Sequence, residues 1–285
     1  MFKRQTTGSV ICTSCGVLVG VNDDRCYNCG RSNPGLWGFA PVLRAMGGDM
    51  GFVPLVIGSC AVLYVLTLLA SRGNIGMGGL FSLFSPSQQS LFLFGESGAV
   101  PVFLAGRWWT VLSANWLHGS ALHIIFNMMW VRQLAPATAE LYGPGRMIII
   151  YTVAGVAGFA LSSFAGAYLP NLLFLRGGQF TVGASAAIFG LLGALVYYGR
   201  RSGSRMVGSQ ALSYALMLGF FGFVMPGVDN YAHLGGFGGG YLAAQVLDPL
   251  KPERIDHIAI ALGCLAASVL AIVASVLHGL QFFGS

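Results

Sequence analysis

Long apolar stretches alternate with short polar segments along most of this chain. Each apolar stretch is close to the roughly 20 residues that a helix needs to cross the hydrocarbon core of a bilayer. The pattern therefore predicts an all-α polytopic membrane protein, in which a polar segment, residues 1–48, precedes a transmembrane domain, residues 49–285. The predicted spans cover residues 52–70, 117–135, 147–169, 183–199, 210–226, 231–247 and 257–280.

The connection between the first two predicted spans, residues 71–116, differs from an ordinary aqueous loop. Large apolar side chains are scattered among its glycines and polar residues, which is typical of a segment that lies in the membrane interface. These side chains are Phe81, Leu83, Phe84, Leu91, Phe92, Leu93, Phe94, Trp108 and Trp109.

Composition supports the membrane assignment. The chain is 55% hydrophobic and 8% charged, whereas about 25% of the residues in a soluble domain are charged. Its net charge of +6 does not indicate nucleic-acid binding, because the basic residues lie in short segments between apolar runs. The first forty residues lack the short apolar core of a signal peptide, so we expect none.

The distribution of Lys and Arg predicts the orientation. With the N-terminus in the cytoplasm, twelve of the fifteen basic residues, Lys3 and Arg44 among them, fall on the cytoplasmic side, and Arg72, Arg107 and Arg176 fall outside. The positive-inside rule favours this arrangement, and seven spans then place the C-terminus outside. We expect a multi-pass protein of the plasma (inner) membrane.

Polar side chains interrupt three of the predicted spans, and the topology places them all in the outer half. His118, His123 and Asn127 lie in the second span, Ser185 near the start of the fourth and His233 near the start of the sixth. A serine and a histidine at one depth can act as nucleophile and base. Simpler explanations are helix packing for the serine and interhelical hydrogen bonds for the others. A transporter pathway is another alternative, which predicts polar residues in the inner half as well.

Three motifs here resemble those of the rhomboid intramembrane serine proteases. They are His118-x4-His123-x3-Asn127, then Gly183-Ala184-Ser185-Ala186, which is similar to the family's G-x-S-G, and Ala232-His233-Leu234-Gly235-Gly236. The resemblance covers about residues 50–250. It implies a rhomboid-like six-helix core followed by a C-terminal seventh transmembrane helix. It also implies a protease that cuts in or near the transmembrane helices of other membrane proteins.

The resemblance assigns roles to the polar residues. Ser185 is the implied nucleophile and His233 the general base and acid of a dyad that needs no cofactor. His123, Asn127 and the backbone N–H of Ser185 are the implied oxyanion hole. Asp229 lies near His233 in the sequence, but we do not assign it to a triad.

Further residues support this implied site. His118 is expected near the outer mouth, in a water-retention or gating network. Phe189, four residues after Ser185, is placed to support the His233 ring. Small residues are expected to let the fourth and sixth spans approach closely; they are Gly183, Gly235, Gly236, Gly239 and Gly240.

Two positions depart from the family pattern. Ala186 stands where the family usually has Gly, which puts the rate or the substrate fit in question. Thr110 follows Trp109 where the family often shows Trp-Arg, which puts the usual anchoring of the loop in question. A catalytically weak or inactive protein that binds transmembrane helices is therefore the alternative to an active protease.

Four of the six cysteines form two C-x2-C-G motifs near the N-terminus. Cys12, Cys15, Cys26 and Cys29 have the spacing of a zinc ribbon, and four thiolates suit tetrahedral Zn²⁺. Disulfides are disfavoured by a cytoplasmic N-terminus, and an iron–sulfur cluster is a minor alternative. We expect a structural zinc ion at these four cysteines, and the binding partner of the ribbon is unknown. Cys60 and Cys264 lie alone in apolar runs, where we expect them to fill space.

Overall fold

A computed structural model describes residues 4–41, 48–79, 82–170, 175–225 and 227–283. Within them the chain forms a helical bundle preceded by a small two-stranded sheet, so the predicted all-α membrane architecture is confirmed. Lys3, Arg44, Phe81 and Pro226, the predicted end of the fifth span, lie outside the described residues. The helices are α1 (Phe52–Ala70), α2 (Gln88–Phe94), α3 (Thr110–Ser113), α4 (Ala121–Tyr142), α5 (Pro144–Tyr168), α6 (Ser185–Ser202), α7 (Arg205–Val224), α8 (Asn230–Leu247) and α9 (Ile255–Phe283).

Seven of the described helices are long, and they differ in how apolar they are. Four of them, α1, α5, α7 and α9, are long and apolar enough by themselves to cross a membrane. The other three, α4, α6 and α8, have 22, 18 and 18 residues. They are less apolar because they carry arginines, glycines or the polar residues of the candidate site. At about 1.5 Å per residue, 18 residues extend roughly 27 Å, nearly the thickness of the hydrocarbon core.

The second span shows why hydropathy misplaces a boundary. The predicted range 117–135 is wrong at both ends, because α4 begins at Ala121 and continues to Tyr142 through Pro136. The hydroxyl of Ser120 accepts a hydrogen bond from the His123 N–H at 3.3 Å and caps the helix. His118 therefore lies in the extended connection before α4 and not within the helix.

Helix α6 lies at the centre of the bundle, and α8 packs against it at backbone distance. A methyl group at Gly236 would overlap the carbonyl of Ala186, and one at Gly240 would overlap the carbonyl of Gly190. The neighbouring Gly235 and Gly239 face α5 instead: added methyl groups would lie 2.8 Å from the Ala157 oxygen and 2.5 Å from its Cβ, respectively. The glycines of α8 thus allow both α5 and α6 to pack closely against α8, whereas the sequence predicted this only for the helix that begins near Ser185.

The N-terminal segment has its own small core. Strands β1 (Ser9–Ile11) and β2 (Leu18–Gly20) pair antiparallel, with Val10 opposite Val19. Both valines are buried together with Cys12, Cys26 and Ala40. A core this small rarely sustains a fold without a metal or a disulfide.

Candidate functional site

Ser185 and His233 come together at one end of the bundle, which we call the site end. Ser185 is the first residue of α6, and His233 lies in the first turn of α8. The Ser185 Oγ and the His233 Nε2 are 3.0 Å apart, which is a hydrogen bond. His233 is 9% exposed, whereas Ser185 is only half-buried. The hydroxyl is therefore reachable while the ring that can accept its proton is held inside the protein.

Gly183 shapes the turn that presents Ser185. Its φ of 130° is one that L side chains rarely adopt, and its N–H donates to the Ala114 carbonyl at 3.0 Å. A methyl group at this position would lie 2.6 Å from the His123 Nε2. The site therefore requires glycine here, both for the backbone conformation and for the approach of His123.

His123 turns its Nε2 toward this turn. The backbone N–H of Gly119 donates to the His123 Nδ1 at 3.3 Å. Because Nδ1 accepts, a neutral ring carries its proton on Nε2. The structure thus presents an N–H donor beside Gly183 and Ser185, where a developing negative charge could be stabilised.

Asn127 lies one turn further along α4, and its side chain is only 4% exposed. Its Nδ2 donates to the His123 carbonyl at 2.7 Å, and its Oδ1 has no hydrogen-bond partner among the described residues. One N–H of the amide is therefore used within α4, and the second remains for another acceptor.

His118 is fully buried beside His123. Their ring centroids are 5.2 Å apart in an edge-to-face arrangement. Neither ring nitrogen of His118 has a hydrogen-bond partner in the described part of the chain. We expected His118 near the outer mouth of the site, but it lies inside the protein, next to His123.

Phe189 packs against one face of the His233 ring. The two rings stack with centroids 4.2 Å apart and planes 15° from parallel. Asp229 does not contact the imidazole: its carboxylate caps α8 by accepting from the Ala232 N–H at 2.9 Å and hydrogen-bonds Ser162. The Nδ1 of His233 has no partner among the described residues, so no carboxylate there orients the ring.

Ala186 fits the site without strain. It is fully buried in a helical conformation, and its φ is not positive. Opposite it on α5 stands Gly158, where an added methyl group would lie 2.6 Å from the Ala186 Cβ. The space that the family's usual glycine would leave at 186 is thus filled by alanine, and Gly158 accommodates it.

The loop before the site contains a buried residue that the sequence analysis did not identify. Arg107 is fully buried, and its carbonyl accepts a 2.8 Å hydrogen bond from the Thr110 hydroxyl. Its guanidinium lies 4.2 Å from the centre of the Phe92 ring. Two tryptophans directly after an arginine in an interfacial segment were the available signal. Thr110 thus takes part in anchoring this loop, although it departs from the family pattern.

The four N-terminal cysteines form a second candidate site. All four sulfur atoms lie within 4.8 Å of one another, and the Cys12–Cys29 and Cys15–Cys26 pairs are 3.8 and 3.5 Å apart. Four sulfurs around Zn²⁺, each at about 2.3 Å, would be about 3.8 Å apart, far beyond the roughly 2 Å of a disulfide. These residues therefore fit a tetrahedral metal ion.

The thiols of this cluster differ in how readily they lose a proton. Burial raises the pKa of the Cys12 thiol to about 11. A hydrogen bond from the backbone of Val17 is the largest cause that lowers the pKa of Cys15 to about 6. Backbone N–H donors that face sulfur stabilise the thiolate form that metals bind.

Comparison with known proteins identifies several relatives of this chain. Rhomboid protease GluP of Bacillus subtilis (strain 168) is 32% identical over 166 residues, which cover 57% of this chain and 30% of GluP. RHOMBOID-like protein 4 of Arabidopsis thaliana is 34% identical over 173 residues, covering 58% of this chain and 40% of that protein. Putative rhomboid protease YdcA of Bacillus subtilis is 28% identical over 157 residues, covering 52% and 72%. The chain thus spans less than half the length of the first two relatives.

The family model agrees with these relatives. The rhomboid domain matches residues 105–249, about half of the chain. This range contains Ser185, His233, His123 and Asn127, together with helices α4 to α8. The chain belongs to the rhomboid family, whose members are typically intramembrane serine proteases.

Proposed function

We propose that this protein is an intramembrane serine endopeptidase that hydrolyses peptide bonds in or near transmembrane helices of other membrane proteins. The observation that carries the proposal is the 3.0 Å contact between Ser185 Oγ and His233 Nε2. It joins the starts of α6 and α8, two helices in backbone contact, so the geometry is fixed by packing rather than by flexible loops.

The proposed reaction begins with attack of the Ser185 oxygen on a substrate carbonyl carbon while His233 Nε2 takes the hydroxyl proton. The oxyanion of the tetrahedral intermediate accepts hydrogen bonds from His123 Nε2–H, the free N–H of Asn127 and the Ser185 backbone. Collapse of the intermediate breaks the C–N bond, and His233 returns its proton to the leaving amine. Water, deprotonated by His233, then cleaves the acyl-enzyme and restores Ser185.

A dyad needs a means of orienting the imidazole without a carboxylate. The stacked Phe189 ring fixes the plane of His233. Since Nε2 must accept the serine proton, the neutral ring carries its own proton on Nδ1. We propose that His118, buried with unpaired ring nitrogens, holds the water that hydrolysis consumes.

We further propose the orientation and the domain division that the sequence predicts. Arg200, Arg201 and Arg205 lie at the end of the bundle opposite Ser185, which supports a cytoplasmic position for that end. The site then opens toward the outer face of the plasma membrane, where lipid and transmembrane substrates reach it. Residues 1–48 are then a cytoplasmic segment that comprises a zinc ribbon and a linker. The four cysteines bind a structural Zn²⁺, because four protein ligands leave no open position.

The test is cleavage of a model transmembrane substrate by the purified protein in liposomes. Ser185→Ala and His233→Ala are each expected to lower the rate by about 10³-fold or more, because dyad members act as a unit. Ser209→Ala is the matched control, since that hydroxyl bonds the Met206 carbonyl on α7 at 3.2 Å. Cleavage that persists in Ser185→Ala would rule out the proposed protease.

A further inference from the structure

Ser275 is a buried residue of the C-terminal helix α9 at its contact with the loop of residues 71–116. It is fully buried, although Leu277 beside it is 62% exposed. Arg107 Nη2 donates to the Ser275 carbonyl at 2.8 Å, and Trp109 Nε1 donates to its hydroxyl at 3.1 Å. The Ser113 hydroxyl lies 3.5 Å from the same hydroxyl. Three polar groups of the loop thus converge on a single position of α9.

Arg107 depends on α9 for part of its hydrogen bonding. The guanidinium is fully buried, and its other terminal nitrogen donates to the Phe92 carbonyl at 2.6 Å. A buried cation is costly unless its donors find acceptors. The Ser275 carbonyl therefore helps to keep the loop folded around Arg107.

The loop and α9 also fit closely where they touch. A methyl group at Gly95 would lie 2.8 Å from the Ser275 Cβ, and one at Gly279 would lie 2.9 Å from the Leu93 Cδ1. The Ser113 hydroxyl donates to the Gly95 carbonyl at 2.7 Å. Small residues on both sides allow this approach, so a change at Ser275 would be felt by the loop.

The same loop holds the segment that leads to Ser185. The Ala114 carbonyl, directly after Ser113, accepts from the Gly183 N–H at 3.0 Å. Ser97 and Thr181 exchange two backbone hydrogen bonds of 3.0 and 2.8 Å. Backbone contacts therefore connect the residues that touch Ser275 with the turn that presents the nucleophile.

We propose that Ser275 is a positioning residue: through Trp109 and Ser113 it holds the loop in the register that keeps Gly183 and Ser185 aligned with His233. This role rests on the proposed function. It makes α9, which lies beyond the matched rhomboid domain, part of the apparatus that sets the geometry of the site.

The experiment measures the second-order rate of labelling by a fluorophosphonate probe in proteoliposomes. Ser275→Ala is expected to slow labelling by about three- to ten-fold, a factor that corresponds to the net contribution of one hydrogen bond. The matched control is Ser268→Ala, because the Ser268 hydroxyl bonds the Cys264 carbonyl within α9 at 3.0 Å. It is expected to label at the wild-type rate.

The Trp109→Phe variant separates positioning from a general loss of stability. Both substitutions remove the hydrogen bond between Trp109 and Ser275, so the loss of labelling rate in the double variant should be less than the product of the two single losses. Additive losses, or a Ser275→Ala rate equal to wild type, would overturn the role of Ser275.

Hydrogen exchange of peptides covering residues 107–116 tests the contact without activity. Ser275→Ala should speed their exchange, and Ser268→Ala should not. If the wild-type protein fails to label, the proposed function is wrong, and exchange alone then decides whether Ser275 holds the loop. Exchange that is unchanged in Ser275→Ala overturns that role as well.

Discussion

At the scale of single residues, the contact between Ala186 and Gly158 explains how the site accepts an unusual side chain. The methyl group of Ala186 packs in a small cluster with Ala114, Phe159 and Ala232. The opposite helix leaves room for it by having no side chain at Gly158. The two positions are 28 residues apart in the sequence, and they share one volume next to Ser185.

Gly158→Ala should therefore disturb the site. The new methyl group would lie 2.6 Å from the Ala186 Cβ and 2.5 Å from the Ala232 carbonyl oxygen. We expect a loss of about 1–3 kcal/mol of stability, as overpacked cores show, with slower probe labelling. Adding Ala186→Gly to this variant should restore only part of the stability and part of the labelling rate, because the new methyl group would still lie too close to the Ala232 carbonyl. Thermal unfolding and probe labelling measure the two effects. Gly219→Ala is the control, because a methyl group there would have open space around it. A Gly158→Ala variant with the stability and labelling rate of the wild-type protein would contradict this account of the packing.

The sequence revealed the residues of the site more readily than their surroundings. His233, His123 and Asn127 stand out because histidine and asparagine are rare in apolar runs, and Ser185 stands out only through the motif Gly183-Ala184-Ser185-Ala186. Gly158 and Ser275 belong to no such motif, and glycine and serine are common in membrane helices. Arg107 was predicted to lie on the outer side, but its burial depends on acceptors contributed by Phe92 and by α9, more than 160 residues away in the case of Ser275.

At the scale of elements, helix ends limited what could be predicted. The first span matched α1, because the apolar run 52–70 is long, uncharged and preceded by Asp49, whose carboxylate accepts from the Val53 N–H at 2.8 Å. The second span did not match, because α4 begins at the Ser120 cap inside an apolar run and continues past Pro136 and Glu140 to Tyr142. The division of the α8 glycines between α5 and α6 was also hidden, since both faces contain small residues at a spacing of four.

The contact between α6 and α8 gives a sharp test at this scale. Gly240→Ala should push the helices apart, because its methyl group would overlap the Gly190 backbone. We expect at least ten-fold slower cleavage and a lower melting temperature, since His233 lies two turns away on the same helix. Gly238→Ala is the matched control: it sits on the same helix with nothing within 4 Å of the added methyl group. Equal activity of the two variants would show that close packing does not set the dyad.

At the scale of the whole molecule, two buried arginines connect α9 and the segment that precedes it to the rest of the bundle, at opposite ends of the bundle. Arg107 reaches Ser275 at the site end. Arg146, 2% exposed, donates to the carbonyl of Leu247 at the end of α8 and to those of Asp248 and Lys251 in the connection before α9, at 2.7–2.8 Å. The core therefore holds α9 at Ser275 and also holds the segment that leads into α9, although α9 lies outside the matched rhomboid domain.

The N-terminal ribbon, by contrast, has a core separate from that of the bundle, and this predicts how metal removal acts. Its buried residues pack among themselves around the four cysteines, so Zn²⁺ should be required for its fold but not for the dyad. We expect one zinc ion per wild-type chain, loss of zinc in Cys15→Ser, and full retention in Cys264→Ser, the control in α9. Chelation should expose residues 4–41 to protease while the rate of probe labelling changes less than two-fold. If labelling falls in parallel with zinc content, the ribbon is coupled to the site and the separation inferred from the two cores is wrong.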